Sequence, residues 1–265
     1  MKPIYKPKGR ALEYSPDALA LNIYTGCPHR CFYCFAPTVL KTDREKFHSH
    51  VEPRKDIVNA TIQQLKKGYL DYDIPITDGD GKPGTMKNRM SLHNKLIHLC
   101  FTCDPYPTTC DDAATREIIK AIKDSGNHVQ ILTKGGIAAE RDFDLLDKND
   151  WIGITFTGDM VKPFINPKGE PYAAAMTERL LLLDRAKMHG LNTWVSCEPV
   201  LDVKGIYSLI KADYIDLFRI GKLNYHPSII AWGEFGRECE GMLKYYGRQY
   251  YIKHDLRKEM EKAND

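Results

Sequence analysis

The chain has 265 residues, of which 43% are hydrophobic and 28% charged, a composition typical of a folded globular protein and not of a disordered one. Its 38 Lys and Arg residues against 35 Asp and Glu leave a net charge of +3, which excludes a strongly basic nucleic-acid clamp but allows local basic patches. No apolar run approaches the ~20 residues of a membrane span, and none follows the basic N-terminus, so we expect a cytoplasmic protein whose eight cysteines stay reduced.

Short β-rich runs alternate with helical stretches along the chain. Strands are predicted at 20–25, 95–102, 128–133, 151–157, 191–197, 214–220 and 249–252. Helices are predicted at 52–67, 112–124, 141–148, 171–189, 203–211 and 235–246. Six strand-then-helix units indicate an α/β fold with a parallel sheet that curls into a partial (β/α)6 barrel, and an open doubly wound sheet is the alternative.

The chain is interpreted as one domain over residues 1–265, with a core at about 20–225, an insertion at 68–90 and a C-terminal extension at 226–265. The insertion follows the first helix and contains the run Asp78-Gly-Asp80-Gly-Lys82, in which Gly and Asp favour turns. Lys82 stands where a calcium loop needs an oxygen ligand. A surface loop or small hairpin is therefore predicted, and a lid over a site is the alternative.

Three cysteines lie close together in the segment Cys27-Pro-His-Arg-Cys31-Phe-Tyr-Cys34, directly after the first predicted strand. Three thiolates on one loop can hold one inorganic centre. A structural zinc site takes four ligands, so zinc would need a fourth, such as His29 or a later cysteine. A cubane iron–sulfur cluster normally takes four cysteines, and with three, one iron stays open to a substrate or cofactor.

The Cys-x3-Cys-x2-Cys spacing, with an aromatic residue before the third cysteine, resembles the radical S-adenosylmethionine (SAM) superfamily. The segments NIYTGCPHRCFYCFAP, FTCDPYP, ILTKGG, ITFTGD and a GEP before a long helix are similar to the branch of spore photoproduct lyases and "DNA repair photolyase"-type proteins. The resemblance covers about residues 21–252. It implies a partial (β/α)6 barrel, in agreement with the six units counted independently.

The resemblance implies a radical SAM enzyme, a lyase or a modifying enzyme. Cys27, Cys31 and Cys34 would hold a 4Fe–4S cluster, and SAM would chelate the fourth iron. Reductive cleavage of SAM would yield a 5′-deoxyadenosyl radical that abstracts hydrogen from a substrate. An electron donor such as flavodoxin or ferredoxin is implied as a partner.

Further residues are carried over onto the SAM site. Tyr33 and Phe35 match aromatic positions beside the adenine, Lys134 matches a lysine that approaches SAM, and Thr155 matches a serine that hydrogen-bonds it. Each has a structural alternative, such as a solvated loop lysine or a strand threonine. The predicted cofactor-binding residues are Tyr33, Phe35, Asp104, Lys134, Thr155, Thr157 and Glu198.

The chain departs from the lyase pattern at the hydrogen donor. The position that matches the donor cysteine of the lyases is Phe101, and Cys100 is expected on the opposite strand face, away from the site. Cys103 and Cys197, both at strand ends, are the predicted catalytic thiols, with a packed core residue as the alternative for each. An auxiliary cluster on Cys100, Cys103 and Cys110 is disfavoured because strand alternation separates the first two.

The resemblance points to a nucleobase in DNA or RNA as the substrate, with repair or modification as the outcome. Local support comes from three sets of basic and aromatic residues, each with a solvated face as the alternative. They are Lys2, Lys6, Lys8 and Arg10; Lys82, Lys87, Arg89 and Lys95; and Tyr245, Tyr246, Arg248, Tyr250, Tyr251 and Lys253. The alternative functions are a radical SAM enzyme acting on a peptide or small metabolite, and a non-catalytic metal-bearing binding protein.

Overall fold

The structure is a computed structural model that describes residues 2–77, 79, 81–108, 110–158 and 169–262. Asp78 and Asp80 of the predicted turn, and Asp159 of the ITFTGD segment, lie outside the described residues. No helix in the described ranges has the length and apolar character needed to cross a bilayer.

The elements follow the predicted alternation. The strands are β1 (Ile4–Tyr5), β2 (Ala20–Leu21), β3 (Tyr69–Thr77), β4 (Pro83–Ser91), β5 (Leu96–Leu99), β6 (His128–Thr133), β7 (Trp151–Thr155), β8 (Asn192–Cys197), β9 (Leu217–Ile220) and β10 (Gln249–Ile252). The helices are α1 (Ala36–Leu40), α2 (Arg44–Ser49), α3 (Ile57–Lys67), α4 (Ala113–Asp124), α5 (Met176–Met188), α6 (Val203–Leu209), α7 (Trp232–Tyr245) and α8 (His254–Glu261). Two 3₁₀ helices cover Gly9–Glu13 and Gly136–Leu145.

One eight-stranded sheet organises the molecule, in the order β1-β2-β5-β6-β7-β8-β9-β10. Every neighbouring pair is parallel except β1 with β2. The six predicted units are therefore confirmed as a partial barrel, and β10 joins it as a further parallel strand. The predicted charged tail forms α8 instead, because Leu256 is fully buried and anchors it.

Helix ends agree with the sequence signals. Gly68 and Gly190 adopt positive φ just beyond α3 and α5, a conformation that glycine reaches without strain. Ile118, Ile119 and Ile122 of α4 are fully buried against the sheet. The predicted insertion is a separate two-stranded antiparallel hairpin, β3–β4.

The two faces of the barrel sheet differ in chemistry, because residues paired in register point to the same side. Gly153 pairs with Trp194, and Thr155 with Ser196 and then Arg219, which defines a polar and aromatic inner face. The alternate residues form the outer face and pack against the helices as one apolar core. They include Ile131, Ile152, Ile154, Val195, Cys197, Phe218 and Ile220.

An N-terminal arm, residues 2–14, crosses from the β1 edge of the sheet to its β9–β10 edge. Its β1 pairs with β2, Arg10 forms an ion pair with Asp255 at 2.5 Å, and the carbonyl of Glu13 accepts a hydrogen bond from Arg219. The arm closes the open side of the barrel. Its short strand and 3₁₀ turn have no repeating apolar pattern, which is why no element was predicted there.

Candidate active site

The three-cysteine loop follows β2 at the carboxyl end of the parallel strands. Cys27, Cys31 and Cys34 are free thiols, and Cys31 is 6% exposed. Burial raises the pKa of Cys27 well above its ordinary value, and the nearby Asp104, Cys31 and Cys34 add to the rise. Burial likewise raises the pKa of Cys31 to about 12. Because these thiols are protonated at neutral pH, a metal that bound them would release their protons.

Helix α2 holds this loop by hydrogen bonds to the backbone of the loop. The N–H of Cys27 donates to the carbonyl of Phe47 at 3.2 Å, and the carbonyl of Cys27 lies 2.7 Å from Nδ1 of His48. Arg44 donates to the carbonyls of Cys31 at 2.5 Å, Phe32 at 2.9 Å and Cys34 at 3.1 Å. Arg44 therefore fixes the curvature of the loop. Sequence reasoning missed it because three separate carbonyl contacts leave no motif.

Gly26 is required by close packing of the loop on α2. A Cβ at this position would lie 2.1 Å from the carbonyl oxygen of Phe47 and 2.9 Å from that of His50. We expect Gly26→Ala to lower the free energy of unfolding by about 1–3 kcal/mol, the usual cost of overpacking. Gly241→Ala is the control, because nothing lies within 4 Å of its Cβ position on α7; it should stabilise the protein by about 0.5–1 kcal/mol. Urea denaturation measures both, and equal effects would contradict the packing account.

A buried ion pair lies beneath the cysteine loop. Glu170 of the GEP segment and Arg179 of α5 are both fully buried and bond at 2.7 Å. Arg179 also donates to the carbonyls of Thr155 and Ala174, each at 3.0 Å, and Tyr33 donates its hydroxyl to Glu170. Burial acts to raise the pKa of Glu170, but Arg179 and Lys134 hold it below its ordinary value. Tyr33, which was predicted to lie beside the adenine of SAM, is therefore hydrogen-bonded to this ion pair.

Asp104 fixes the backbone at Lys134, the lysine that was predicted to approach SAM. Its carboxylate accepts from the N–H of Lys134 at 2.7 Å, from Oγ1 of Thr133 at 2.6 Å and from the N–H of Tyr106 at 2.9 Å. Burial acts to lower the pKa of Lys134, but Cys31 and Glu170 hold it above its ordinary value. A charged ammonium therefore lies beside the cysteine loop, while the side chain of Asp104 serves the local turn.

His29 lies inside the cysteine loop as a neutral imidazole. Burial lowers its pKa to about 4, although its Nδ1 lies 3.5 Å from Asp104. Its Nε2 is buried with no hydrogen-bond partner in the described part of the chain. An unpaired ring nitrogen of this kind is open to a bound group.

Four other predicted cofactor-binding residues differ in whether their side chains are free to contact a ligand. Thr155 is buried on the inner face, and Oγ1 of Thr157 is buried with no hydrogen-bond partner in the described ranges. Phe35 is 52% exposed beside the loop. Glu198 is occupied, because it accepts from the hydroxyl of Tyr14 at 2.7 Å and pairs with Lys253.

The prediction that Cys197 lies at the mouth of the site is wrong. Cys197 pairs with Ile220 on the outer face of the sheet and is fully buried. Burial raises its pKa well above the ordinary value, and Cys239 of α7 adds to the rise. The strand does end there, but side-chain alternation puts Ser196, not Cys197, inside the barrel. Cys197 is a core residue.

The strand alternation that was expected to separate Cys100 from Cys103 does not extend to Cys100. Strand β5 ends at Leu99, and Cys100 adopts a φ of 68°, so alternation does not continue through it. Burial raises the pKa of the Cys100 thiol, and Cys103 adds to that rise. Sγ of Cys103 also accepts from the N–H of Tyr24 at 3.4 Å, so the thiol turns back toward the start of the cysteine loop.

The predicted basic and aromatic surfaces are largely used by the fold. Lys253 is buried with Glu198, and Arg248 donates to the carbonyls of Ile210 and Lys211. Arg89 pairs with Asp71 at 2.7 Å. The C-terminal set is therefore mainly structural, although Tyr245 remains 83% exposed.

A second cluster of metal-ligating types lies at the opposite end of the strands. Ligand atoms of His128, Asp147 and Asp150 lie within 4.8 Å of one another. Lys123 already binds the two carboxylates at 2.8 and 2.5 Å. This cluster is therefore compensated as an ion-pair network.

No protein-family model matches the chain, and no curated protein matches its sequence. Its fold matches solved structures of spore photoproduct lyase. A cysteine-to-serine variant gives a TM-score of 0.60 at 12% identity, over 89% of this chain and 76% of that one. A variant with bound AdoMet and dinucleoside spore photoproduct gives 0.59 at 13% identity over the same shares, and a complex with dinucleoside spore photoproduct gives 0.59 at 12%. The chain therefore has the partial barrel fold of spore photoproduct lyase.

Proposed function

We propose that the chain is a radical SAM enzyme that holds a 4Fe–4S cluster on Cys27, Cys31 and Cys34. The observation that carries the proposal is the set of three free thiols on one loop that follows β2 at the carboxyl end of the barrel strands. Three sulfur ligands suit a cluster with one open iron. When bound, the cluster would supply the electron for reductive cleavage of SAM.

The residues around the loop fit a ligand with a charged carboxylate and an aromatic base. The ammonium of Lys134 lies beside Cys31 and can pair with the SAM carboxylate. Oγ1 of Thr157 and Nε2 of His29 are buried polar atoms whose partners a bound group can supply. Phe35 offers an exposed ring for the adenine, and Thr155 supplies a hydroxyl on the inner face.

A nucleobase in DNA or RNA is the substrate that the surroundings favour. Phe32, Phe35 and Tyr172 expose rings around the loop, and the guanidinium of Arg30 lies 5.9 Å from the Tyr172 ring centroid. Exposed rings beside cations can stack bases and contact phosphates. A solved neighbour in fold carries a dinucleoside spore photoproduct. Cys103 stays a predicted hydrogen donor.

Anaerobic reconstitution with iron, sulfide, dithionite and SAM tests the enzyme. We expect about four irons per chain and formation of 5′-deoxyadenosine. Iron without 5′-deoxyadenosine would overturn the enzyme and leave a metal-bearing binding protein, as would zinc in place of iron. About eight irons per chain would instead support a second cluster.

Oligonucleotide binding tests the substrate class. We expect Tyr172→Ala to weaken binding of single-stranded DNA or RNA about tenfold, because stacking of one base contributes about 1–3 kcal/mol. Tyr245→Ala is the comparison variant for the predicted C-terminal surface, since that exposed ring lies at the end of α7 that leads into the start of β10. Binding that Tyr245→Ala weakens and Tyr172→Ala does not would place the nucleic acid on that surface instead. No binding at low salt would favour a peptide or small metabolite instead.

A further inference from the structure

Arg44 of α2 places a positive charge against the backbone of the cysteine loop. Its guanidinium donates to the carbonyl of Cys31 at 2.5 Å, to that of Phe32 at 2.9 Å and to that of Cys34 at 3.1 Å. Cys31 and Cys34 are two of the three proposed cluster ligands, so the cation bonds the ligand residues themselves. Charges and hydrogen bonds around the ligands of an iron–sulfur cluster set its reduction potential.

No carboxylate cancels the charge of Arg44 in the part of the chain that the structure describes. Its three acceptors are neutral carbonyl oxygens. The adjacent acid, Asp43, instead accepts from the N–H of Lys46 at 2.8 Å and caps α2. A single cation acts on a neighbouring centre with its whole charge, whereas the two members of an ion pair largely cancel.

Three other cations near the loop each have an acidic residue as a hydrogen-bond partner. They are Arg30, which donates to Glu45 at 2.6 Å; Arg179, which donates to Glu170 at 2.7 Å; and Lys134, whose N–H donates to Asp104 at 2.7 Å. Arg44 differs from all three, because every partner it has on the loop is uncharged. Its charge is therefore the one that a centre on this loop experiences without an acid to offset it, as far as the described residues extend.

Given the cluster of the proposed function, on which this inference rests, we propose that Arg44 raises the reduction potential of that cluster. Reduction adds one electron, from dithionite or an electron-transfer protein, and no proton, so the cluster becomes more negative by one charge. A neighbouring cation stabilises the more negative state and so makes the reduction easier. Arg44 acts through the backbone of Cys31 and Cys34, which makes it a positioning residue.

A redox titration of the reconstituted full chain without SAM, followed by electron paramagnetic resonance of the reduced cluster, tests the proposal. Arg44→Gln keeps amide donors for the loop and removes the charge. Because Arg44 is exposed to solvent on α2, part of its field is screened. At the native midpoint potential, we expect the ratio of reduced to oxidised cluster to fall about three- to tenfold, a shift of about 28 to 59 mV to lower potential for one electron. Arg44→Lys keeps the charge and should stay closer to the native midpoint.

A compensated ion pair on the same loop and helix supplies the matched control. Changing Arg30→Gln together with Glu45→Gln removes one charge of each sign, so the midpoint should stay at the native value. Glu45→Gln alone leaves Arg30 without its acid and should raise the midpoint. This variant keeps Arg44, so the response of the loop to charge is measured even if the Arg44 variants fail to fold.

Three results would overturn the proposal. They are an unchanged midpoint in Arg44→Gln at about four irons per chain, equal shifts in Arg44→Gln and Arg44→Lys, and an unchanged midpoint in Glu45→Gln. The second would show that the shape of the loop, and not the charge, sets the potential. A native chain that retains no iron would instead overturn the proposed function, and iron content separates that failure from the other three.

Discussion

Arg179→Met is expected to lower the free energy of unfolding by about 3–5 kcal/mol, because it leaves the carboxylate of Glu170 buried without its charged partner. Both side chains are fully buried, so water cannot replace the lost cation. The change also removes the donors to the carbonyls of Thr155 and Ala174. Urea denaturation at neutral pH measures the loss.

Two further variants separate burial from charge. Arg185→Met breaks a pair with Glu140 in which the side chains are 43% and 31% exposed, and such pairs contribute about 0.2–1 kcal/mol. Combining Arg179→Met with Glu170→Gln should recover part of the loss, because no buried charge then remains. If Arg179→Met lowers the free energy of unfolding no more than Arg185→Met does, the Glu170–Arg179 ion pair does not stabilise the packing under the cysteine loop.

Cys31→Ala is expected to abolish both iron retention and SAM cleavage. Cys31 is the middle ligand of the proposed set and the most buried of the three, and two thiolates cannot hold the cluster that three are proposed to hold. Iron content and 5′-deoxyadenosine are measured after anaerobic reconstitution. Cys110→Ala is the control, because Cys110 lies outside the cysteine loop, and it should retain both. Undiminished iron in Cys31→Ala would show that the ligands are other residues.

Repeating patterns carried most of the fold prediction. The buried strands read as apolar runs, and residues 128–133 and 249–252 were placed within the bounds that the structure has. The glycines that end α3 and α5 marked those ends because their backbone needs positive φ. The N-terminal arm lacks any such repeat, and its position depends on contacts with residues far along the chain.

The site residues could be predicted where their spacing along the chain indicates their chemistry. They could not be predicted where their role depends on burial in the folded protein. The cysteine spacing indicated the ligands directly. The pairing of Glu170 with Arg179 arises only when α5 packs on the sheet, so no local pattern shows it. Cys197 could have been excluded, because apolar residues alternate with Trp194 and Ser196 along β8 and mark its outer face. The position of Cys100 could not be predicted in this way, because its left-handed turn interrupts the alternation on which the prediction relied.

The N-terminal arm also sets the order in which the chain can finish folding. Glu13 and Tyr14 bond residues that lie between 182 and 241 positions further along the chain. Contacts of such separation form late and slow folding, because long loops must close first. During synthesis, Tyr14 can bond Ser196 and Glu198 only after β8 has emerged, and Glu13 can bond Arg219 and His254 only later still. A chain that stalls before β8 therefore carries an N-terminal arm that lacks the partners on β8 and β9 that hold it across the barrel.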